Sequence, residues 1–193
     1  NIEEIRESPV KGMYEIVTHA GIIYYCPDGD YMIFGEIWDS TGKSLTAERR
    51  SEVTSKKMAS LPLDKAVKIG AGKNRIVEFV DPECAYCRTA YDYFKNKDVT
   101  VYAFVIPLMG TRSENKVKYM ACAKDKVKAY HEIFSGKDIS LPVDCSVPPD
   151  SMNELRKFAS KYGVTGVPFF LVNGQAVNGI NTKRIDELLK NRP

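Results

Sequence analysis

Apolar and polar positions change their period twice along this chain of 193 residues. Up to about residue 45, short apolar runs alternate with turn residues, the pattern of a meander of strands. Residues 3–8 read as a short helical lead-in. Residues 13–19, 22–26 and 31–38 then read as three strands. Ala20-Gly21 and Asp28-Gly29-Asp30 separate them, and Ser40-Thr41-Gly42-Lys43 closes the third. So small a meander buries little surface and needs a partner, either another domain or another copy of itself. Residues 46–61 are polar and charged, with Val53, Met58 and Leu61 as scattered apolar positions. That is a weakly amphipathic helix, suited to link two differently built segments.

From about residue 70 strands and helices alternate. Residues 75–80 form an apolar strand pattern, 88–95 a helix and 99–106 a buried-type strand. Residues 114–134 read as one long helix, with Val117, Met120, Ala121, Val127, Tyr130 and Phe134 broadly at helical spacing. A helix at 152–162, a strand at 169–172, an Asn173-Gly174 hairpin turn, a strand through Ala176-Val177 and a helix at 183–189 complete the chain. The pattern divides the chain into a β-rich domain (1–45), a linker helix (46–62) and an α/β domain (63–193).

Composition excludes more than it assigns. The chain is 44% hydrophobic and 27% charged, an ordinary globular balance. A net charge of +3, with basic and acidic residues interleaved, gives no reason to expect nucleic acid. No apolar run approaches the ~18 residues of a membrane helix, so no membrane insertion is expected. No signal peptide is visible at Asn1; an exported protein would have lost it or carry it outside this sequence.

The five cysteines carry the chemistry. Cys84-Ala85-Tyr86-Cys87 follows a strand and opens a helix. Two thiols spaced this way can close a small disulfide ring. The first would lie over the free N–H groups and positive end of the helix, which favours a thiolate that attacks disulfides. Cys84 is therefore expected to be the exposed nucleophile and Cys87 the buried partner. A zinc site needs more ligands, and there is no second Cys-x-x-Cys; His19 and His131 are isolated. No metal and no separate cofactor is expected, because the dithiol is its own redox group. Cys122 and Cys145 look like a second pair. Bridged, they would staple a Pro-rich loop to its helix, worth ~3 kcal/mol, and point to an oxidising compartment. The alternative is two unpaired buried thiols. Cys26 is expected to be a small buried hydrophobe.

This strand, Cys-x-x-Cys, helix, strand order, with a helical insertion and a β-β-α finish, is similar to a thioredoxin fold. In that fold a cis proline faces the cysteines from the loop before the final hairpin, which here is Val167-Pro168. Glu78 lies six residues before Cys84, inside an apolar strand. Buried beneath the dithiol, its carboxyl would have a raised pKa and could exchange a proton with Cys87. Otherwise it is a partly exposed edge carboxylate.

Nearly the whole chain resembles the periplasmic disulfide isomerases of the DsbC/DsbG family. Ser8-Pro9-Val10-Lys11-Gly12-Met13 and the hairpins through Asp39-Ser40-Thr41-Gly42 are similar to that family's dimerisation domain. Cys84-Ala85-Tyr86-Cys87, Cys122-Ala123-Lys124-Asp125-Lys126 and Gly163-Val164-Thr165-Gly166-Val167-Pro168 match in order and approximate spacing. The resemblance implies a V-shaped homodimer, joined by residues before about Ser44. It implies Cys84 as nucleophile, Cys87 as resolving thiol and Cys122–Cys145 as a structural bridge. It also implies misoxidised or unfolded exported proteins as substrates, and a DsbD-like membrane thiol reductase as electron donor. Three positions depart from the family's usual residues: Ala85 replaces Gly or Pro, Val167 replaces Thr, and Glu78 replaces an apolar residue. Val167 and Glu78 are closer to the monomeric DsbA-type oxidases. The expected activity is disulfide isomerisation and reduction with chaperone capacity; a thiol oxidase and a non-redox dimeric holdase are the alternatives.

Overall fold

The structure is a computed structural model and describes residues 2–18 and 20–190. It divides into two compact units, Asn1–Lys56 and Lys57–Pro193.

The first unit is a four-stranded antiparallel sheet in chain order: β1 (Ile2–Glu7), β2 (Tyr14–Thr18), β3 (Gly21–Cys26) and β4 (Tyr31–Ile33). Residues 3–8 are thus strand, not helix, apart from Ser8. The spacing of Ile2 and Ile5 and the helix-forming Glu and Arg residues suit a helix, but pairing with β2 overrides them. The expected third strand, 31–38, stops at Ile33. The chain then leaves the sheet to serve the next helix, α1 (Leu45–Met58). There Leu45 N–H donates to the Ile37 carbonyl, and Trp38 bridges Ser44. His19, at the end of the first expected strand, lies outside the described residues.

Ser44 caps α1, its Oγ accepting the Ala47 N–H at 3.0 Å. Thr46 is buried and shares a 2.6 Å hydrogen bond with the Tyr24 hydroxyl of β3. Arg49 and Glu15 form a buried pair at 2.7 Å, with Arg6 on the same carboxylate oxygen at 2.9 Å. A pair so deep is held by its further partners, since burying either charge alone is costly. Glu4 and Glu52 supply them to Arg49, at 2.6 and 3.0 Å.

The second unit contains β5 (Val67–Ile69), β6 (Asn74–Val80), α2 (Ala85–Phe94), β7 (Val99–Val105), α3 (Gly110–Cys122) and α4 (Lys126–Phe134). It continues with α5 (Ser151–Lys161), β8 (Phe169–Val172), β9 (Gln175–Asn178) and α6 (Thr182–Lys190). The sheet order is β5-β7-β6-β8-β9, with β6 and β7 parallel and the other pairs antiparallel. β5 was not expected from the sequence pattern. Asn173 and Gly174, both at positive φ (47° and 90°), make the two-residue turn between β8 and β9.

Alternation along β6 divides the core into two layers. Ile76 and Val80 face one side, packed with Cys84, Cys87, Phe94, Tyr130, Ile133 and Ile185. Val77 and Phe79 face the other, with Phe104, Phe169, Ala159 and Tyr162. Glu78 shares the face of Ile76 and Val80 by register. Helices therefore cover both faces of the sheet.

The long helix expected at 114–134 is two helices. Ala123 is extended, and the Asp125 carboxylate caps α4 by accepting the Lys128 N–H at 2.9 Å. Lys126 donates to the Met120 and Ala121 carbonyls and so serves the end of α3. Among the described residues no helix is long and apolar enough to cross a membrane.

Candidate active site

β6 delivers the chain to the site. Its last residue, Val80, accepts the Ile106 N–H, so the end of β6 and the segment after β7 stay side by side. Asp81 to Glu83 then turn the chain into α2. The Glu83 N–H donates to Asp81 Oδ1 at 2.7 Å, and the Cys84 N–H donates to the Asp81 carbonyl at 3.1 Å. Cys84 is the N-cap residue of α2, in extended conformation, with no side-chain capping bond. Cys87 lies in the first turn of the helix.

Both thiols are free. Exposure does not separate them: Cys84 is 2% exposed and Cys87 1%. The expectation of an exposed Cys84 is thus corrected. Its side chain lies against the 167–168 segment, where Sγ donates to the Val167 carbonyl at 3.8 Å. The Val167–Pro168 peptide bond is cis. β6, α2 and the loop before β8 thus converge on one sulfur. Tyr86, between the cysteines, is 67% exposed, and Ala85 is exposed as well.

Cys87 has a different environment. Burial pushes its thiol far above the usual range, while the Asp81 N–H, donating to Sγ at 3.5 Å, acts in the opposite direction. Glu78 charge raises it further. Glu78 is fully buried within β6, so it is not an edge carboxylate. Burial pushes its carboxyl up to about 7, against the opposing effect of a 2.5 Å hydrogen bond from the Tyr130 hydroxyl. A cavity of about 120 Å³ adjoins Glu78 and is lined also by Tyr91, Phe94, Val101, Tyr130 and His131. The Tyr91 hydroxyl and His131 Nδ1 share a 3.0 Å hydrogen bond there.

Glu83 secures the segment from outside. Burial raises its carboxyl, but the Lys116 ammonium at 2.6 Å outweighs this, and the pKa is lowered overall. Arg88 donates to the Pro82 carbonyl at 3.0 Å.

Cys122 and Cys145 are joined, 23 residues apart, tying the end of α3 to the loop before α5. Cys26 is a free thiol but only half-buried, at the end of β3, unlike the buried position expected. The sequence pattern brought forward Cys84, Cys87, Val167, Pro168 and Glu78. It missed Tyr130, which looked like one more apolar helix position, and Asp81, which it did not single out.

The chain is similar to known proteins. Residues 1–47 match the family described as "Disulfide bond isomerase protein N-terminal domain", and residues 61–192 match "Thioredoxin-like domain". The chain is 32% identical over 187 residues to thiol:disulfide interchange protein DsbC of Salmonella typhimurium, covering 91% of this chain and 75% of that protein. It is 29% identical over 183 residues to DsbC of Escherichia coli K12, with the same coverage of each. The crystal structure of a disulfide interchange protein from Neisseria gonorrhoeae superimposes with a TM-score of 0.55 at 28% identity, over 68% of this chain and 99% of that one. The chain belongs to the DsbC family of thiol:disulfide interchange proteins, thiol–disulfide oxidoreductases and isomerases built on a thioredoxin-like domain.

Proposed function

We propose that this protein rearranges incorrect disulfides in exported proteins as a homodimer in the bacterial periplasm, with Cys84 as nucleophile and Cys87 as resolving thiol. The observation that carries the assignment is the placement of the free Cys84 thiol at the start of α2, against the Val167 carbonyl beside cis Pro168. A sulfur there is served by the helix N–H groups and lies beside a loop whose main chain can align an extended substrate.

The Cys84 thiolate attacks one sulfur of a substrate disulfide. A Cys84–substrate disulfide forms and one substrate thiolate leaves. That thiolate then attacks elsewhere in the substrate and finally returns to free Cys84, which is isomerisation. Alternatively Cys87 attacks the Cys84 sulfur, the substrate leaves reduced and a Cys84–Cys87 disulfide remains. A DsbD-like membrane thiol reductase then restores the dithiol with two electrons. Cys87 must lose a proton before it attacks, and burial opposes this. The ionised Glu78 carboxylate takes that proton, and the adjoining cavity, wide enough for water, lets it leave. The Cys122–Cys145 bridge takes no part in the cycle and fits an oxidising compartment.

The test is reactivation of scrambled ribonuclease with and without Cys84→Ala, together with acid trapping of the dithiol in cells. Recovery of activity that depends on Cys84, and a reduced pair in the periplasm, are expected. An oxidised pair would favour a second reading, a thiol oxidase, for which Val167 and the buried Glu78 argue. No ribonuclease recovery with either protein, while Cys84→Ala still suppresses aggregation of an unfolded chain, would leave a holdase.

A further inference from the structure

Asp81 is completely buried, and no step of the thiol chemistry above uses its carboxylate. Yet that carboxylate ties the turn before α2 to the segment that leads into α3. Oδ1 accepts the Glu83 N–H at 2.7 Å. Oδ2 accepts the Leu108 N–H at 2.6 Å, the Met109 N–H at 2.9 Å and the Ser113 hydroxyl at 2.8 Å. Among the described residues four donors and no acceptor converge on it, an arrangement that suits only a carboxylate, because an amide would turn its own N–H groups onto donors. Its main chain is equally placed. The carbonyl holds the Cys84 N–H at 3.1 Å, and the N–H reaches Cys87 Sγ at 3.5 Å.

We propose that Asp81 is the positioning residue of the dithiol: its carboxylate pins residues 81–83 to residues 108–113, and so fixes the main-chain N–H that supports the Cys87 sulfur as it attacks. The proposal rests on Cys84 attacking and Cys87 resolving. It assigns Asp81 to the second step. Cys87 must carry negative charge where burial resists it, and a fixed N–H donor answers that charge at the sulfur itself. Cys84 relies on the helix start and on the 167–168 loop, so the first step depends less on Asp81. The same carboxylate also holds Leu108 and Met109 by their main chains, and both apolar side chains are exposed.

One probe separates the steps, the aromatic disulfide dithionitrobenzoate acting on the reduced full chain. The Cys84 thiolate breaks its S–S bond, releases one thionitrobenzoate and keeps the other as a mixed disulfide. The Cys87 thiolate then attacks the Cys84 sulfur, closes the Cys84–Cys87 bond and releases the second thionitrobenzoate. In Asp81→Asn the second release should slow by about tenfold, the worth of one charge-assisted hydrogen bond, while the first changes by less than about threefold. A folded Asp81→Asn protein with both rates unchanged, or with both slowed equally, would overturn the proposal. Should that variant fail to fold, Ser113→Ala decides, because it removes one of the four donors. It should slow the second release alone by about two- to threefold, well under the full bond's worth; an unchanged second release overturns the proposal. A wild-type protein that never gives the second release would instead refute the roles of Cys84 and Cys87, a failure distinct from that of Asp81.

Discussion

The Tyr130 hydroxyl donates a 2.5 Å hydrogen bond to Glu78 Oε1, joining α4 to the central strand β6 across 52 residues of sequence. Both side chains are buried beneath the dithiol, in the core layer that also holds Cys84 and Cys87. This bond is the polar partner that makes a carboxyl tolerable inside an otherwise apolar strand. It is incomplete compensation, since burial still raises the Glu78 pKa from 4.5 to about 7.

Stability should therefore fall as pH rises. Between pH 4.5 and 7 the folded protein keeps a proton on Glu78 that the unfolded chain has released. The contribution is fully present below 4.5 and gone above 7, a change of about 3 kcal/mol over that window. Glu78→Gln keeps an acceptor for Tyr130 and removes the titration. Its melting temperature should exceed that of the wild type by several degrees at pH 8 and match it at pH 4. Thermal melts across this range check the sign, and an equal gap at both ends would refute it.

Tyr130→Phe acts on the same carboxyl in the opposite way. Loss of the donor removes the one influence that lowers the Glu78 pKa, so the carboxyl should titrate higher than about 7. The pH midpoint of the Cys87 step should move up with it, at a stability cost of about 1–2 kcal/mol. Stopped-flow release from a mixed disulfide at Cys84, measured against pH, reads the midpoint. A midpoint left in place would show that Glu78 does not supply the base.

How much of this was legible depends on what kind of signal each residue leaves. Cys84, Cys87 and Pro168 stand out because their chemistry is tied to spacing and to a neighbouring strand or helix. Glu78 stands out as a charge in an apolar run. Tyr130 leaves no such mark, for its ring occupies a normal helical core position and only the fold aims its hydroxyl at Glu78. Asp81 does not stand out either, because its four donors come from residues 83, 108, 109 and 113, which only the tertiary fold gathers. The break between α3 and α4 was hidden for a related reason. Apolar positions keep helical spacing through it, while the cap at Asp125 and the Lys126 bonds to α3 carbonyls stop the helix locally. β1 shows the limit of propensity, because Glu and Arg residues take strand geometry once β2 offers an edge.

Alkylation should distinguish the two thiols even though both are almost fully covered. Cys87 is held as a thiol by burial, whereas Cys84 is the N-cap residue of α2 and lies against the Val167 carbonyl. Iodoacetamide at mildly acid pH should label Cys84 at least about tenfold faster. Peptide mapping after a short pulse gives the ratio, and preferential labelling of Cys87 would reverse the assignment.

Removing the second cysteine pair should cost stability and spare chemistry. The bridge closes a loop of 23 residues between α3 and the segment before α5. A double Cys122→Ala, Cys145→Ala variant should lose about 3 kcal/mol against denaturant. Its reaction with an aromatic disulfide should keep both phases. Loss of the second phase would mean that the bridge takes part in the redox cycle.

The proposed homodimer should fail when the edge of the first sheet is charged. β1 and β4 are its two edges, and every residue of both is exposed. β4 and the residue after it, Tyr31, Met32, Ile33 and Phe34, present a run of apolar side chains, with Phe34 75% exposed. An edge this apolar and unpaired invites a further strand, and a second copy of the same edge can supply one in an isologous, antiparallel contact. Met32→Glu with Phe34→Glu would set like charges near one another across such a contact and leave the buried residues Val17 and Tyr24 of the unit untouched. Sedimentation equilibrium should then show a dimer for the wild type and a monomer for the double variant at micromolar concentration. Ribonuclease reactivation should drop in the variant while its aromatic disulfide reaction persists, because the dithiol is complete within one chain and the proposed dimer is not. A wild type that sediments as a monomer would remove the homodimer from the proposed function and strengthen the oxidase reading. A double variant that remains dimeric would move the interface away from β4, with β1 as the next edge to charge.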